Sequence, residues 1–512
     1  MEKDKFSFID LFSGIGGFRL ALNNLGGNCL GFSEINNDAV KTYCTNFNES
    51  EQSNFGNITK IKDLPQHDLL TGGVPCQSWS IAGKNLGFDD DRGQLWNDTI
   101  YLLNKVKPKA FIFENVKGLV DPRNKDAFSY IMNRIRKAGY FANYYLLNSY
   151  DYGVPQNRLR VYIIGFSDEK YASKFKIPNP LQNRTSLNKI LKDIDVTSED
   201  KTNSNIINHD LFGVRIKPKQ MSLSQNNGLN DYFLFNDLRN GHSTVHSWDL
   251  IDTTLRQKEI CYLLLKNRRK SAYGILDGNP LSLKNFKDLD SSIDLSELFE
   301  LEKLGILKSH EYIFEINEFN ENEIDKEEYE LLNCTKDKIL SLDTLKNSKK
   351  LKLNKISISK NIDKLKLKNI ITCLEIKFDF KNSKISTGLN GINRVFLPKS
   401  KTFPTLVASD TNDFVALKNI EATTEDEFKI KFIKEIYNNK EFRKISQKEA
   451  CLIQGFPEDF CLPQARARWM KLIGNSVSVP VIEMLGKAII ETGVFNEEIN
   501  SKLGFKRESI AF

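Results

Sequence analysis

FSFIDLFSGIGGFRLAL, residues Phe6–Leu22, reads as a buried strand, a glycine turn and a helix. Gly14, Gly16 and Gly17 let the backbone bend sharply and come close to a bound group. The turn departs from GxGxxG, but Glu34 follows about 20 residues on, at the end of the next apolar run, where a carboxylate can hold ribose hydroxyls. That spacing favours a nucleoside cofactor over a purely structural turn. Working outward, further apolar runs alternate with amphipathic stretches as far as residue 170: NCLGFS, HDLLTGG, KAFIFEN, YYLLN and RVYIIGF. This is the pattern of a parallel βαβ sheet, an α/β fold. Helices fit between the runs: GGFRLALNNL ends near Gly26–Gly27, and LWNDTIYLLNKVKP stops at Pro108.

A chain of 512 residues, 40% hydrophobic and 27% charged, exceeds one ordinary domain, so two domains are expected. The opening MEKDKFSFIDLF lacks a charged leader followed by an apolar segment, and no apolar run approaches the ~20 residues of a membrane span. A cytosolic protein with no membrane partner is expected. The eight cysteines form no CxxC pair and no zinc-spaced Cys/His cluster, so neither disulfides nor a metal site is expected. A net charge of +7 leans toward an anionic partner such as nucleic acid.

Ligands of open α/β sheets sit beyond the carboxyl ends of the strands. Phe12 to Gly14, Glu34, Cys76 and Glu114 each fall at such an end, whereas Arg160 begins its strand. If that strand runs antiparallel to the others, Arg160 joins the same crevice edge.

Six segments, in order, carry a family resemblance: DLFSGIGGFRLAL, GGVPCQSWSIAGKNLGFDDDRGQLW, FIFENVKGL, QNRLRVYIIGF, RKISQKEACLIQGFP and GNSVSVP. Together they resemble the cytosine-5 DNA methyltransferases of bacterial restriction-modification systems. The resemblance implies a Rossmann-like, S-adenosylmethionine-dependent methyltransferase sheet, mostly parallel with one antiparallel strand, joined to a second, large target recognition domain. It divides the chain into a catalytic domain (1–170), the recognition domain (171–440) and a C-terminal segment (441–512) that returns to the catalytic domain.

By the same resemblance Cys76 is the nucleophile, Glu114 binds the cytosine ring, and Arg158 and Arg160 orient and stabilise the base. S-adenosylmethionine would be held by Phe12, Ser13, Gly14, Gly16, Gly17, Glu34, Ile35, Asn57, Ile58, Pro75, Leu95, Asn475 and Val477. At Asn57 the family usually has an acidic residue that meets the adenine amino group, and a side-chain carbonyl can still accept that bond. Gln77, Ser80, Lys84 and Arg92 belong to a loop suited to closing over flipped DNA, and Thr405 and Leu406 to the recognition domain near the base gap. The partner implied is double-stranded DNA, methylated by a monomer that is cytoplasmic and associated with the bacterial nucleoid, with a cognate endonuclease acting separately. Two other readings stay open: a tRNA cytosine-5 methyltransferase, and a catalytically silent DNA-binding regulator on the same scaffold.

From about 170 to 440 the sequence is rich in Asn, Ser and Lys and shows no internal repeat. Lysines crowd positions 336–368, as a solvated surface or as a face toward nucleic acid. Residues 255–318 read as helix, helix, turn and strand, the pattern of a winged-helix module, which would put Arg268, Arg269 and Lys270 near DNA. His242 and His246 are expected to pack or to contact DNA, and Trp248 to be core.

Overall fold

The computed structural model describes residues 6–75, 91–191, 194, 231–235, 243–274, 278–335, 337–381 and 391–496; of residues 91–94 only the backbone is described. Cys76, Gln77, Ser80, Lys84 and His242, and the side chain of Arg92, lie outside this set.

The N-terminal region alternates as the apolar runs require: β1 (Phe6–Leu11), α1 (Gly17–Asn24), β2 (Gly27–Ser33), α2 (Asn37–Phe47), β3 (Leu69–Gly73), α3 (Asp91–Val106), β4 (Ala110–Val116), α4 (Lys125–Lys137), β5 (Phe141–Asn148), a two-residue β6 (Gln156–Asn157) and β7 (Leu159–Phe166). Six of these strands form one sheet in the order β2-β1-β3-β4-β7-β5. Strands β2, β1, β3 and β4 pair in parallel, and β7 runs antiparallel to both β4 and β5. The expected α/β methyltransferase sheet with one antiparallel strand is therefore present. Helices cover both faces, which is why β1, β3 and β4 are apolar almost throughout: Phe8, Ile9, Leu11, Leu69, Leu70, Phe111, Ile112 and Phe113 are fully buried.

After α5 (Glu169–Ala172) the chain builds two further sheets. One combines β8 (Tyr232–Phe235) and β9 (Thr244–Val245) with later strands. Between them in sequence lies a helical insert: α6 (Leu255–Asn267), β10 (Leu281–Ser282), α7 (Leu283–Leu289), α8 (Leu295–Lys303), β11 (Leu307–Ile316), α9 (Lys326–Leu332), β12 (Ile339–Ser341), α10 (Leu342–Asn347), α11 (Lys349–Leu353), α12 (Ile358–Leu367) and β13 (Ile371–Phe380). The insert's sheet has the order β10-β13-β11-β12. Then come β14 (Arg394–Phe396), β15 (Phe403–Pro404), β16 (Asp413–Ala416), α13 (Glu425–Lys431) and β17 (Phe442–Arg443), which complete the other sheet as β17-β16-β14-β8-β9. Because β17 pairs with β16, residues 442–443 go with this sheet.

The chain ends in α14 (Gln447–Gln454), α15 (Arg466–Asn475) and α16 (Val479–Glu491), whose apolar faces share a core with β1, α1, β4 and β7. Arg466–Glu491 is the one described stretch long and apolar enough to cross a membrane, contrary to the expectation that none exists. Most of it is buried: Leu472, Ile473, Val481, Ile482, Leu485 and Ile489 are core residues. Trp248 is fully buried as expected, and His246 stacks on it with ring centroids 4.3 Å apart.

Candidate active site

The β1–α1 turn adopts left-handed backbone at Phe12 (φ 52°), Gly14 (φ 55°) and Gly16 (φ 87°). For Phe12 this conformation costs about 1–2 kcal/mol, and it persists because the neighbouring bonds over-determine it. Ser13 N–H donates to the Ser33 carbonyl at 3.0 Å, and Gly16 N–H to that of Ser13 at 2.9 Å. Glu34 fixes the other side: Oε2 accepts from Gly14 N at 2.9 Å, while Oε1 accepts from Ile35 N at 2.8 Å and Asn36 N at 2.7 Å. A Cβ at Gly14 would meet nothing within 4 Å among the described residues, so the turn leaves open space beside it. Ser13 Oγ is buried there without a partner among the described residues, and Ile35 at the strand end is 72% exposed. An exposed apolar side chain at Ile35, the Ser13 hydroxyl and open backbone at Gly14 fit an adenosyl group. Gly17 abuts Val477 and Ser476, so the helix must start with glycine for α16 to dock.

The remaining residues assigned to the cofactor are placed less directly. Asn57 Oδ1 accepts from Thr59 N at 3.1 Å, capping a short helical turn, and has one lone pair left. Ile58 is buried, Leu95 packs partly buried against the same core, Pro75 is half-buried, and Asn475 is exposed.

The second half of the site lies two strands away. Glu114 pairs in register with Gly73 on one side and with Tyr162 on the other, and Val116 pairs with Arg160. Arg160 Nε stands 3.1 Å from Glu114 Oε1, both side chains largely buried. The N–H is not aimed at that oxygen, so the attraction is ionic, and among the described residues Glu114 Oε1 remains buried without a hydrogen bond. Asn115 Nδ2 donates to the Val74 carbonyl at 3.1 Å. That bond ties the segment leading to Pro75 and Cys76 to the strand that carries Glu114.

Arg158 has a different place from the one expected. Its guanidinium is buried and donates to the carbonyls of Leu406 (2.9 Å), Gly474 (3.2 Å) and Ser476 (2.7 Å). Burial, with repulsion from Arg160 second, pushes its pKa down to about 9. Arg158 is thus a clamp among three chain segments and does not present its charge to a base. Gln156 and Gln454 extend the clamp, joined at 2.7 Å, with Gln454 Nε2 also donating to the Ser476 carbonyl. Strand β15 pairs with β6, and Thr405 Oγ1 donates to the Asn157 carbonyl at 2.6 Å, so Thr405 and Leu406 sit beside Arg158, with Leu406 buried.

Sequence reasoning passed over Gln156, Gln454 and Gly474. A Cβ on Gly474 would lie 2.3 Å from the Val407 carbonyl carbon, a close approach that no local pattern signals. Arg158→Leu should cost about 3–5 kcal/mol of stability, because the Leu406 and Gly474 carbonyls lose the guanidinium donor and the Ser476 carbonyl keeps only Gln454; chemical denaturation measures it, and a loss under 1 kcal/mol would contradict the clamp.

Arg268 needs correction as well. It is buried, paired with Asp379 at 2.9 Å, and lies over the Phe380 ring, so it supports the insert from inside and cannot face DNA. Arg269 and Lys270 are exposed.

A family model described as C-5 cytosine-specific DNA methylase matches residues 6–338 and 268–491. The Type II methyltransferase M.HgiBI of Herpetosiphon aurantiacus is 38% identical over 496 residues, 97% of this chain and 99% of the relative. M.BanI of Aneurinibacillus aneurinilyticus, also a Type II methyltransferase, is 27% identical over 96% of this chain and 97% of its own. Among solved structures, the Entamoeba histolytica methyltransferase EhMeth aligns over 96% of this chain and 99% of its own, at 14% identity and a TM-score of 0.45.

Proposed function

Because the chain belongs to the C-5 cytosine-specific DNA methylases, we propose that it methylates C5 of a cytosine flipped out of a specific double-stranded DNA sequence, through a covalent bond from Cys76 to C6. S-adenosylmethionine is the cofactor, and when bound it supplies an electrophilic methyl group. The observation that carries the reading is the single sheet edge: the open β1–α1 turn with Glu34, the β3 end that leads to Cys76, and the Glu114–Arg160 pair at 3.1 Å.

Cytosine C5 is too weak a nucleophile to take a methyl group unaided. Addition of the Cys76 thiolate to C6 breaks the C5–C6 double bond and makes C5 nucleophilic, while Glu114 in its protonated form donates to N3. Arg160 offers positive charge to O2 and favours the thiolate. After C5 has gained the methyl group, loss of its proton re-forms the double bond and expels the thiolate, with water a sufficient acceptor for that proton, and the proton on N3 returns to Glu114. Arg158 holds the recognition segment and the end of α15 against β6, so its role is positioning.

The base must leave the duplex, at a cost of a few kcal/mol, before Cys76 can reach C6. Gln77, Ser80, Lys84 and Arg92 would close over the strand, with Thr405 as a further DNA contact. The biological role proposed is protection of host DNA from a cognate endonuclease that acts separately, by a monomer in the bacterial cytoplasm at the nucleoid.

The test is methyl transfer from labelled S-adenosylmethionine to duplex DNA and, in parallel, to tRNA, with bisulfite sequencing of the DNA product. Transfer to DNA with a covalent adduct on 5-fluorocytosine duplex is the expected result. Transfer to tRNA alone, or no transfer to either, would replace it with one of the two other readings.

A further inference from the structure

The insert is built twice. Moved 64 positions along the chain, Leu307 falls on Ile371 and Ile316 on Phe380, so the bounds of β11 and β13 coincide end to end. Apart from an irregularity at Ile313–Glu375, the ladder between the two strands obeys the same shift, since Leu307 pairs with Phe380 and Ile316 with Ile371. The short strands follow: Leu281 pairs with Phe378 and Ser282 with Lys377, while Leu340 pairs with Phe314 and Ser341 with Ile313. Residues 378 and 377 are again 64 beyond 314 and 313. Each copy therefore lends its long strand to the other across a local two-fold axis.

Sequence and packing repeat with the topology. Leu281-Ser282-Leu283 answers Leu340-Ser341-Leu342, and in each the serine caps the helix that follows. Leu298 and Leu301 of α8 answer Ile362 and Leu365 of α12, all buried. Gly305 and Asn369 both close their helix in left-handed backbone (φ 76° and 56°). The copies have separate cores, and the exchange shows in them: Phe378 lies in the first copy's core and Phe314 in the second's.

What differs is charge. From α7 through α8 (283–303) there are three lysines and six acidic residues; from α10 through α12 (342–367) there are eight lysines and two aspartates. In the first copy's turn, Asp290 is tied to Arg256 at 2.7 Å. The equivalent stretch of the second copy holds the additional short helix α11. Lys350, Lys364 and Lys366 pair with Glu330, Asp325 and Glu311, whereas Lys349, Lys352, Lys355 and Lys360 are exposed and form no ion pair among the described residues.

We propose that residues 255–380 form a duplicated winged-helix-type unit in which only the second copy faces DNA, gripping the phosphate backbone through Lys349, Lys352, Lys355 and Lys360. Helix, strand, two helices and two strands is the winged-helix order, in which the helix–turn–helix meets the duplex. An acidic helix–turn–helix is repelled by phosphate, and a basic one releases counterions on binding it. The first copy then serves as the scaffold that supplies the second strand. This inference rests on DNA being the substrate.

The experiment compares two charge-matched variants of the full-length protein, K349A/K352A/K355A in the second copy and K284A/K287A/K303A in the first. Binding to a fluorescent mixed-sequence duplex is measured across a salt titration, with thermal melts to verify folding. For the second-copy variant the slope of log affinity against log salt should flatten by about 0.9 per lysine that meets a phosphate. The first-copy variant should retain the wild-type slope. An unchanged slope in the second-copy variant, or equal flattening in both, overturns the proposal. Adduct formation on 5-fluorocytosine DNA is scored separately in the wild type: its absence would sink the catalytic reading, and an unchanged slope beside a normal adduct would sink only this one.

Discussion

Serine in place of Cys76 should leave DNA and S-adenosylmethionine binding within about threefold of wild type and lower methyl transfer by on the order of 10⁴-fold or more, the loss typical of removing a covalent nucleophile. The reason is ionisation. A free thiol with a pKa of ~8.5 has a usable thiolate fraction at neutral pH, and a nearby guanidinium increases it, whereas a hydroxyl in the same place stays protonated. Without addition at C6, C5 keeps its aromatic character and cannot attack a methyl group. Pro75, the neighbour of Cys76, follows a segment held by the Asn115–Val74 bond, and neither residue is altered by the substitution. Binding and chemistry should therefore separate cleanly. Single-turnover kinetics and adduct formation on 5-fluorocytosine DNA both read the loss; a rate within tenfold of wild type would exclude Cys76 as the nucleophile.

Glu114→Gln should lower kcat by about 10²–10⁴-fold, the range for removing a positioned acid, with a much smaller change in the KM for DNA. Glutamine matches the shape and can still hydrogen-bond to a base, but it cannot hand over a proton as charge builds on N3. It also removes the negative partner 3.1 Å from Arg160. Two outcomes separate the roles of this residue. If Glu114 acts only as a brace for Arg160, Glu114→Gln and Arg160→Met should both destabilise the fold, and kcat in the folded fraction should hold. If Glu114 acts on the base, melting temperature should move by a few degrees at most while kcat falls.

The parts of the molecule that were legible in advance share one property: their signal is local. The strand, glycine turn and helix of Phe6–Leu22 could be read because burial on both faces of a parallel sheet leaves an uninterrupted apolar run, and because left-handed backbone at Gly14 and Gly16 favours glycine. The strand-end positions of Glu34 and Glu114 followed from the same runs. The antiparallel direction supposed for the strand of Arg160 is borne out by the pairing of β7 with β4, which sets Arg160 opposite Val116.

Arg158 shows where local reading ends. It is two residues from Arg160 in the same motif, yet its three carbonyl partners lie some 248 to 318 positions further along the chain. Nothing near it in sequence announces them. Arg268 is similar: beside Arg269 and Lys270 it looks like part of an exposed basic cluster, and only Asp379, 111 positions away, takes it inside. The duplication went unseen because its two copies keep burial and register while sharing few identities, and because α11 offsets them by five positions partway through.

The sequence by itself determined the sheet, the glycine turn and the candidate chemistry, since each depends on residue type and short-range spacing. Which arginine is drawn into the core, how the two copies of the insert exchange strands and why Gly474 must lack a side chain were decided by tertiary structure alone. Those outcomes depend on what meets a side chain from distant parts of the chain, and a buried charge or a close backbone approach is fixed only when the partner arrives.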